Sequence, residues 1–68
     1  MNIWIARDKD TNELWGYTHR PLLDYGMYRM DFSLVETSSY ELPKEWFPEV
    51  TFENSPQEVE LKLVNNGK

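Results

Sequence analysis

The sequence predicts a small, mainly β protein of about four or five antiparallel strands, arranged as a meander or an open barrel. Apolar and polar residues alternate over several short segments, with the period of a half-buried strand. Turn-forming Asp, Asn, Gly and Pro residues separate these segments. Helical signals are almost absent, because Pro43 and Pro48 leave room for at most one short helical turn. An α+β fold is the alternative if that turn, or the segment 20–26, extends into a helix.

The N-terminal part of the chain predicts a β-hairpin. Residues 2–6 are apolar and β-prone, with the two isoleucines on one face and Trp4 on the other. Residues 13–19 alternate in the same way and place Trp15 on the face opposite Leu14. The polar segment between them has the composition of a turn.

The middle of the chain predicts a loop followed by a long strand. Residues 20–26 interrupt the alternation, because Pro21 cannot donate to a strand ladder and Asp24 and Gly26 favour turns. Alternation resumes over residues 27–36 and predicts a strand with one apolar face. That face consists of Tyr28, Met30, Phe32 and Leu34.

The second half predicts shorter elements. Pro43 can open one helical turn over residues 44–47, and residues 50–52 can form a short strand. A turn over residues 53–56 then leads into a last strand over residues 58–63. The core face of that strand consists of Val59, Leu61 and Leu63, and its charged face consists of Glu58, Glu60 and Lys62.

A chain of 68 residues has room for one domain, which we place at residues 1–64 with a frayed tail at residues 65–68. So short a chain builds a limited core, for which three Trp, four Tyr and three Phe supply the largest side chains. There is no cysteine, which excludes disulfides and thiolate metal sites and agrees with a reducing compartment. No segment resembles a signal peptide or a membrane span, so we expect a cytoplasmic protein without membrane contact.

The formal net charge is −5, and the excess of acids lies late in the chain. Up to residue 29 four acids balance four bases, whereas from Met30 onward eight acids face three lysines. This field repels phosphates, so direct binding to nucleic acid is not expected.

The segment "DKDTNE" bears a partial likeness to a calcium loop. Asp8, Asp10 and Asn12 occupy the first three ligand positions of an EF-hand. Glu13 stands where that loop needs glycine, and His19 stands where it needs a bidentate glutamate. We therefore interpret the segment as a hairpin turn, and expect no metal site and no cofactor.

The residues that could support catalysis are few. His19 is the only histidine, and no serine lies in a nucleophile motif. Glu58 and Glu60 share one face of a strand, but a solvated strand face also explains them, with Lys62 supplying the compensating charge. We therefore expect a protein that is not an enzyme.

Aromatic residues are the more promising feature, because they exceed what a small core hides and because Tyr and Trp are enriched in binding hot spots. The candidates for a partly exposed interaction surface are Trp15, Tyr17, Tyr40 and Trp46. The partner can be another protein or a second copy of the chain.

Two segments, "IWIARDKD" and "FPEVTFENSPQEVELKLV", resemble a group of short uncharacterised proteins of gut bacteria and of their prophages and mobile elements. The resemblance covers under half of the chain and implies a genomic setting, with no activity or site residue to transfer.

Together these observations predict a non-catalytic accessory or protein-interaction module related to phage or mobile elements. The alternative is an acidic mimic of nucleic acid that inhibits a DNA- or RNA-binding protein. The mimic requires a continuous acidic row from Glu45, Glu49, Glu53, Glu58 and Glu60.

Overall fold

A computed structural model describes residues 2–60 of the chain, which form six β-strands and no helix. The strands are β1 (Asn2–Arg7), β2 (Leu14–Tyr17), β3 (Leu22–Asp24), β4 (Met27–Arg29), β5 (Ser39–Leu42) and β6 (Gln57–Glu60). A four-stranded antiparallel sheet has the order β5-β2-β1-β6, and β3 and β4 form a separate antiparallel hairpin. The predicted mainly β class is confirmed, whereas the α+β alternative has no helix within residues 2–60 to support it.

The predicted N-terminal hairpin is present, with Trp4 opposite Tyr17 and Arg7 opposite Leu14. Its register sorts the side chains of the sheet onto two faces. The core face carries Ile3, Ile5, Arg7, Leu14, Gly16, Tyr40, Leu42, Gln57 and Val59. The cavity face carries Asn2, Trp4, Ala6, Trp15, Tyr17, Ser39, Glu41, Glu58 and Glu60.

The hydrophobic core lies between the core face and the segment 43–56. Ile5, Leu14 and Val50 are its buried centre. Four half-buried side chains pack around that centre, namely Ile3, Leu42, Phe47 and Val59. Gly16 permits this packing, because a Cβ at this position would lie 3.3 Å from Cδ1 of Leu42.

Arg7 continues the inward-facing series of β1 and is only 4% exposed. Each of its five guanidinium N–H groups has a backbone carbonyl as acceptor. The acceptors, at 2.8–3.2 Å, are the carbonyl oxygens of Asn12, Lys44, Trp46, Phe47 and Val50. One side chain thus ties the loop after β5 to the C-terminal end of β1, an inner strand of the sheet.

The predicted strand over residues 27–36 is wrong beyond β4, and Phe32 and Leu34 are exposed. Asp31 explains the break, because its carboxylate accepts a hydrogen bond from the backbone N–H of Ser33 and its carbonyl accepts one from Leu34. A turn closed in this way competes with strand pairing.

The predicted loop at residues 20–26 is also wrong, since it contains β3 and both turn residues of the β3–β4 hairpin, Tyr25 and Gly26. Pro21 precedes β3 and Gly26 lies in the turn, so these two strand-breaking residues lie outside the paired residues of β3 and β4. The strand β5 was not predicted. It is an edge strand whose central residues, Tyr40 and Glu41, are exposed, and it lacks a clear alternation.

Two predictions for the loop after β5 are wrong as well. Residues 44–47 form a turn rather than a helical one-turn element, closed by a 3.1 Å bond from the N–H of Trp46 to the carbonyl of Pro43. Residues 50–52 are not a strand, because the carbonyl of Val50 accepts from Arg7 and the N–H of Thr51 donates to Asn54.

The last strand agrees with its predicted faces as far as the structure describes it. Val59 packs against the core, and Glu58 and Glu60 are exposed. The rest of that strand prediction and the predicted tail at residues 65–68 lie outside the described residues. Among the described residues, no helix has the length and apolar character needed to cross a membrane.

Candidate interaction surface

The four aromatic residues predicted to form one surface are divided among different parts of the molecule. Trp15 and Tyr17 lie on the cavity face, Tyr40 lies on the core face at the sheet edge, and Trp46 lies in the loop after β5. Tyr40 and Trp46 are about half exposed, at 57% and 52%. The prediction of Tyr17 as a partly exposed contact residue is wrong, because Tyr17 is only 5% exposed.

Tyr17 is buried because its neighbours in the sheet, β1 and β5, flank it and because it lines a cavity that the second hairpin partly covers. Burial raises the pKa of its phenol, and the nearby charge of Asp8 raises that pKa further. The carboxylate of Asp8 therefore acts on the interior of this cavity.

Exposed apolar side chains concentrate instead on the β3–β4 hairpin and the segment that follows it. Seven of the nine large apolar side chains that are exposed within the described residues fall between residues 22 and 35. We call this set the hairpin surface: Leu22, Leu23, Tyr25, Met27, Phe32, Leu34 and Val35. An exposed concentration of this kind is typical of a binding site rather than of a solvated loop.

Tyr25 occupies the tip of the hairpin and is 99% exposed. Tyr25 and Gly26 are the central turn residues, with φ of 52° and 75°. Two positive φ angles are typical of a type I′ turn, which favours Asn-Gly. Tyrosine in the left-handed region costs of order 1 kcal/mol, and this ring gains no burial in return. The turn therefore carries a residue that neither its geometry nor its packing favours.

The hairpin is anchored to the body of the protein through Tyr28. Its hydroxyl donates to the backbone carbonyl of Ser55 at 2.7 Å, and the carbonyl oxygen of Phe52 lies 3.3 Å from the same hydroxyl. Its ring packs against the ring of Phe52 at a centroid distance of 5.5 Å. Across the hairpin, Nε of Arg29 donates to Oδ2 of Asp24 at 2.9 Å. The exposed residues at the tip thus belong to a hairpin that is bonded to the segment 43–56.

A cavity of about 340 Å³ lies between the cavity face and the β4 side of the hairpin. Its apolar wall consists of Trp15, Tyr17, Met27, Tyr28, Met30 and Phe32. Its charged lining consists of Asp8, Glu13 and Arg29. Met27 and Phe32 belong to both the cavity and the hairpin surface, so the two features adjoin.

Sequence reasoning did not find the hairpin surface, although a signal was present. Tyr25-Gly26 is flanked by short apolar runs, which indicates a hairpin turn with a large side chain where Asn is expected. Met27 and Phe32 were instead assigned to a half-buried strand, because alternation alone does not distinguish a buried face from an exposed one.

The segment between β1 and β2 uses its polar groups to close the turn. The carboxylate of Asp8 accepts from the backbone N–H of Asp10, and the carbonyl of Asp8 accepts from the N–H of Asn12. The hydroxyl of Thr11 accepts from the N–H of Glu13, and Asn12 has a φ of 61°. Within residues 2–60, no group of three or more His, Cys, Asp or Glu side chains is placed to hold a metal ion.

We expect millimolar Ca²⁺ to leave the amide NMR shifts of Asp8 to Asn12 unchanged, because Glu13 and His19 stand where a calcium loop needs glycine and a bidentate glutamate. Mg²⁺ at the same ionic strength is the control for general screening. Saturable shifts confined to this turn and specific to Ca²⁺ would contradict the assignment.

The other residues considered for chemistry are exposed at the surface. His19 is exposed, with Nδ1 3.3 Å from the hydroxyl of Thr18. Glu58 is exposed and accepts from the side-chain amide of Asn2 at 3.3 Å, while Glu60 lies next to it on the cavity face.

Comparison with known proteins gives no relative from which a site could be transferred: no family model, curated protein or solved structure matches the chain.

Proposed function

We propose that this protein is a non-catalytic interaction module whose hairpin surface binds a protein partner with a basic contact surface. The observation that carries the proposal is the concentration of exposed apolar side chains on residues 22–35. Binding sites combine such apolar anchors with a polar rim, and tyrosine is a frequent anchor because it offers a large contact area at low entropic cost.

The conformation of Tyr25 supports this assignment independently of its exposure. A residue that breaks a local structural rule without a packing gain points to a role outside the fold. Tyr25 has a positive φ and an almost fully exposed ring, so the isolated chain gains nothing from it. A partner that buries this ring would supply the compensating contact.

Charge favours a basic partner over a second copy of the chain. The net charge is −5, and within residues 22–35 the ion pair of Asp24 with Arg29 leaves Asp31 as the remaining charge. Two acidic copies would repel each other on approach, whereas a basic surface would be attracted. The resemblance to phage and mobile-element proteins extends the proposal to a cytoplasmic accessory protein of such an element.

The substitution Tyr25→Asn tests this function. Asparagine suits the turn, so the free energy of unfolding should rise by about 0.5–1 kcal/mol. Capture of partners from a lysate of the native host should nevertheless fall at least about tenfold, the size of a hot-spot truncation above 1.4 kcal/mol. Thermal melts and quantitative pull-downs measure the two effects.

The matched control is Tyr40→Asn, which removes an exposed tyrosine outside the hairpin surface and should leave capture unchanged. Equal capture by the wild type and by Tyr25→Asn would overturn the proposal. Light scattering that shows a dimer lost in Tyr25→Asn would reassign the surface to self-association. Capture that depends on Glu45 and Glu49 instead would favour the nucleic-acid mimic.

A further inference from the structure

We infer that the cavity beside the hairpin surface receives an arginine side chain of the partner, and this inference rests on the proposed function. The cavity of about 340 Å³ has the size of a small ligand site. It shares Met27 and Phe32 with the hairpin surface, so a partner that covers this surface also reaches the cavity.

The charged groups of the lining favour a cation. Asp8 and Glu13 contribute two carboxylates. Among the described residues, the basic group of the lining is the guanidinium of Arg29. It pairs with Asp24 at 2.9 Å, so a carboxylate outside the cavity balances its charge. The balance inside the cavity is therefore negative, which suits a guanidinium and opposes a carboxylate or a phosphate.

Hydrogen bonds within the lining leave acceptor capacity for a ligand. In Glu13, Oε1 accepts from the indole N–H of Trp15 at 3.4 Å. In Asp8, Oδ1 accepts from the N–H of Asp10 at 3.1 Å. Each ionised carboxylate has about four acceptor positions, so both can also accept from an arginine fork.

The aromatic wall favours the planar guanidinium over other cations. The rings of Trp15, Tyr17 and Tyr28 line the cavity, and guanidinium groups stack on such rings. The same sheet face already holds one such contact, with Cζ of Arg20 4.9 Å from the ring centroid of Trp4. The chain's own arginine therefore shows how this face binds the group.

The first test uses the full 68-residue chain and N-acetyl-arginine methylamide as the probe. The indole N–H of Trp15 and the amide of Tyr28 should show saturable NMR shifts at probe concentrations up to about 50 mM, a range suited to a single-residue fragment. The neutral isostere N-acetyl-citrulline methylamide should bind at least about fivefold more weakly, because it lacks the charge that stacking and ion pairing require. Absent shifts, or equal binding of the two probes, would overturn the inference.

Substitutions then test which carboxylates attract the arginine probe. Glu13→Gln keeps the acceptor for Trp15 and removes only the charge, and Asp8→Asn likewise keeps the turn acceptor. Each substitution should lower the affinity for the arginine probe by roughly two- to fivefold, as expected for one partly exposed ion pair. Glu45→Gln removes the same charge outside the cavity and should change nothing. If Glu13→Gln and Glu45→Gln weaken binding of the probe equally, the effect comes from the net charge of the protein, and the assignment of Glu13 to the site is contradicted.

The last arm separates this inference from the proposed function. Saturating arginine probe should displace the partner captured from the lysate, and the citrulline probe should not. If the probe binds but does not displace the partner, the cavity binds a free small cation rather than a side chain of the partner, and the inference is overturned. Loss of capture in Tyr25→Asn together with no probe binding would leave the proposed function standing and remove only the arginine site.

Discussion

Replacing Arg7 with methionine is expected to lower the free energy of unfolding by about 3–5 kcal/mol, the cost of disrupting a buried charged hydrogen-bond network. Arg7 is 4% exposed, and its guanidinium donates to five carbonyls that would otherwise lose their partners. For a domain with an unfolding free energy of about 5–15 kcal/mol, this loss removes a large part of the total. Urea titration followed by Trp fluorescence measures it.

Arg7→Lys tests whether stability depends on the forked guanidinium with its five donors or only on the positive charge. Lysine keeps the positive charge but has three donors on one atom, so it cannot span acceptors from Asn12 to Val50. We expect its stability to lie close to that of Arg7→Met. The matched control is Arg29→Met, which loses an exposed ion pair and should cost at most about 1 kcal/mol. Wild-type stability in Arg7→Lys would contradict the role of the fork.

The second large effect is expected in the core, where Leu14→Ala should cost about 2–5 kcal/mol. Leu14 is fully buried in one cluster with Ile5 and Val50, so truncation leaves a cavity in a small core. Leu23→Ala makes the same chemical change on the exposed hairpin surface and should stay within about 0.5 kcal/mol.

The two leucine substitutions should also separate stability from binding. Leu23→Ala should weaken capture of the partner while the melting curve is preserved, whereas Leu14→Ala should lower the melting temperature. If the two variants melt alike, the assignment of the core face is wrong.

The first hairpin could be predicted from sequence because its strands alternate and the segment between them is rich in turn residues. The same alternation contained the signal for Arg7, which follows Ile3 and Ile5 at the period of two. Arg7 was instead grouped with the charged turn. A buried arginine becomes recognisable only when a distant loop brings carbonyls to it, as residues 44–50 do here.

The candidate site was less predictable for a related reason. Composition indicates that there are more aromatic side chains than a small core can bury, but which of them are exposed depends on how the strands and loops pack. Tyr17 is buried because the second hairpin lies over its face, and Tyr25 is exposed because it occupies a hairpin tip. The segment 30–36 alternates as a strand does, yet the turn at Asp31 prevents pairing.

Site-specific photo-cross-linking in the native host tests the central claim, that the hairpin surface contacts a protein partner, most directly. p-Benzoylphenylalanine in place of Tyr25 should give one discrete adduct with another protein, which disappears when Leu23 is also replaced by serine. The same cross-linker in place of Trp46, an exposed aromatic outside the hairpin surface, should give none. An adduct from position 46 with none from position 25, or an adduct at twice the mass of the chain, would contradict the account.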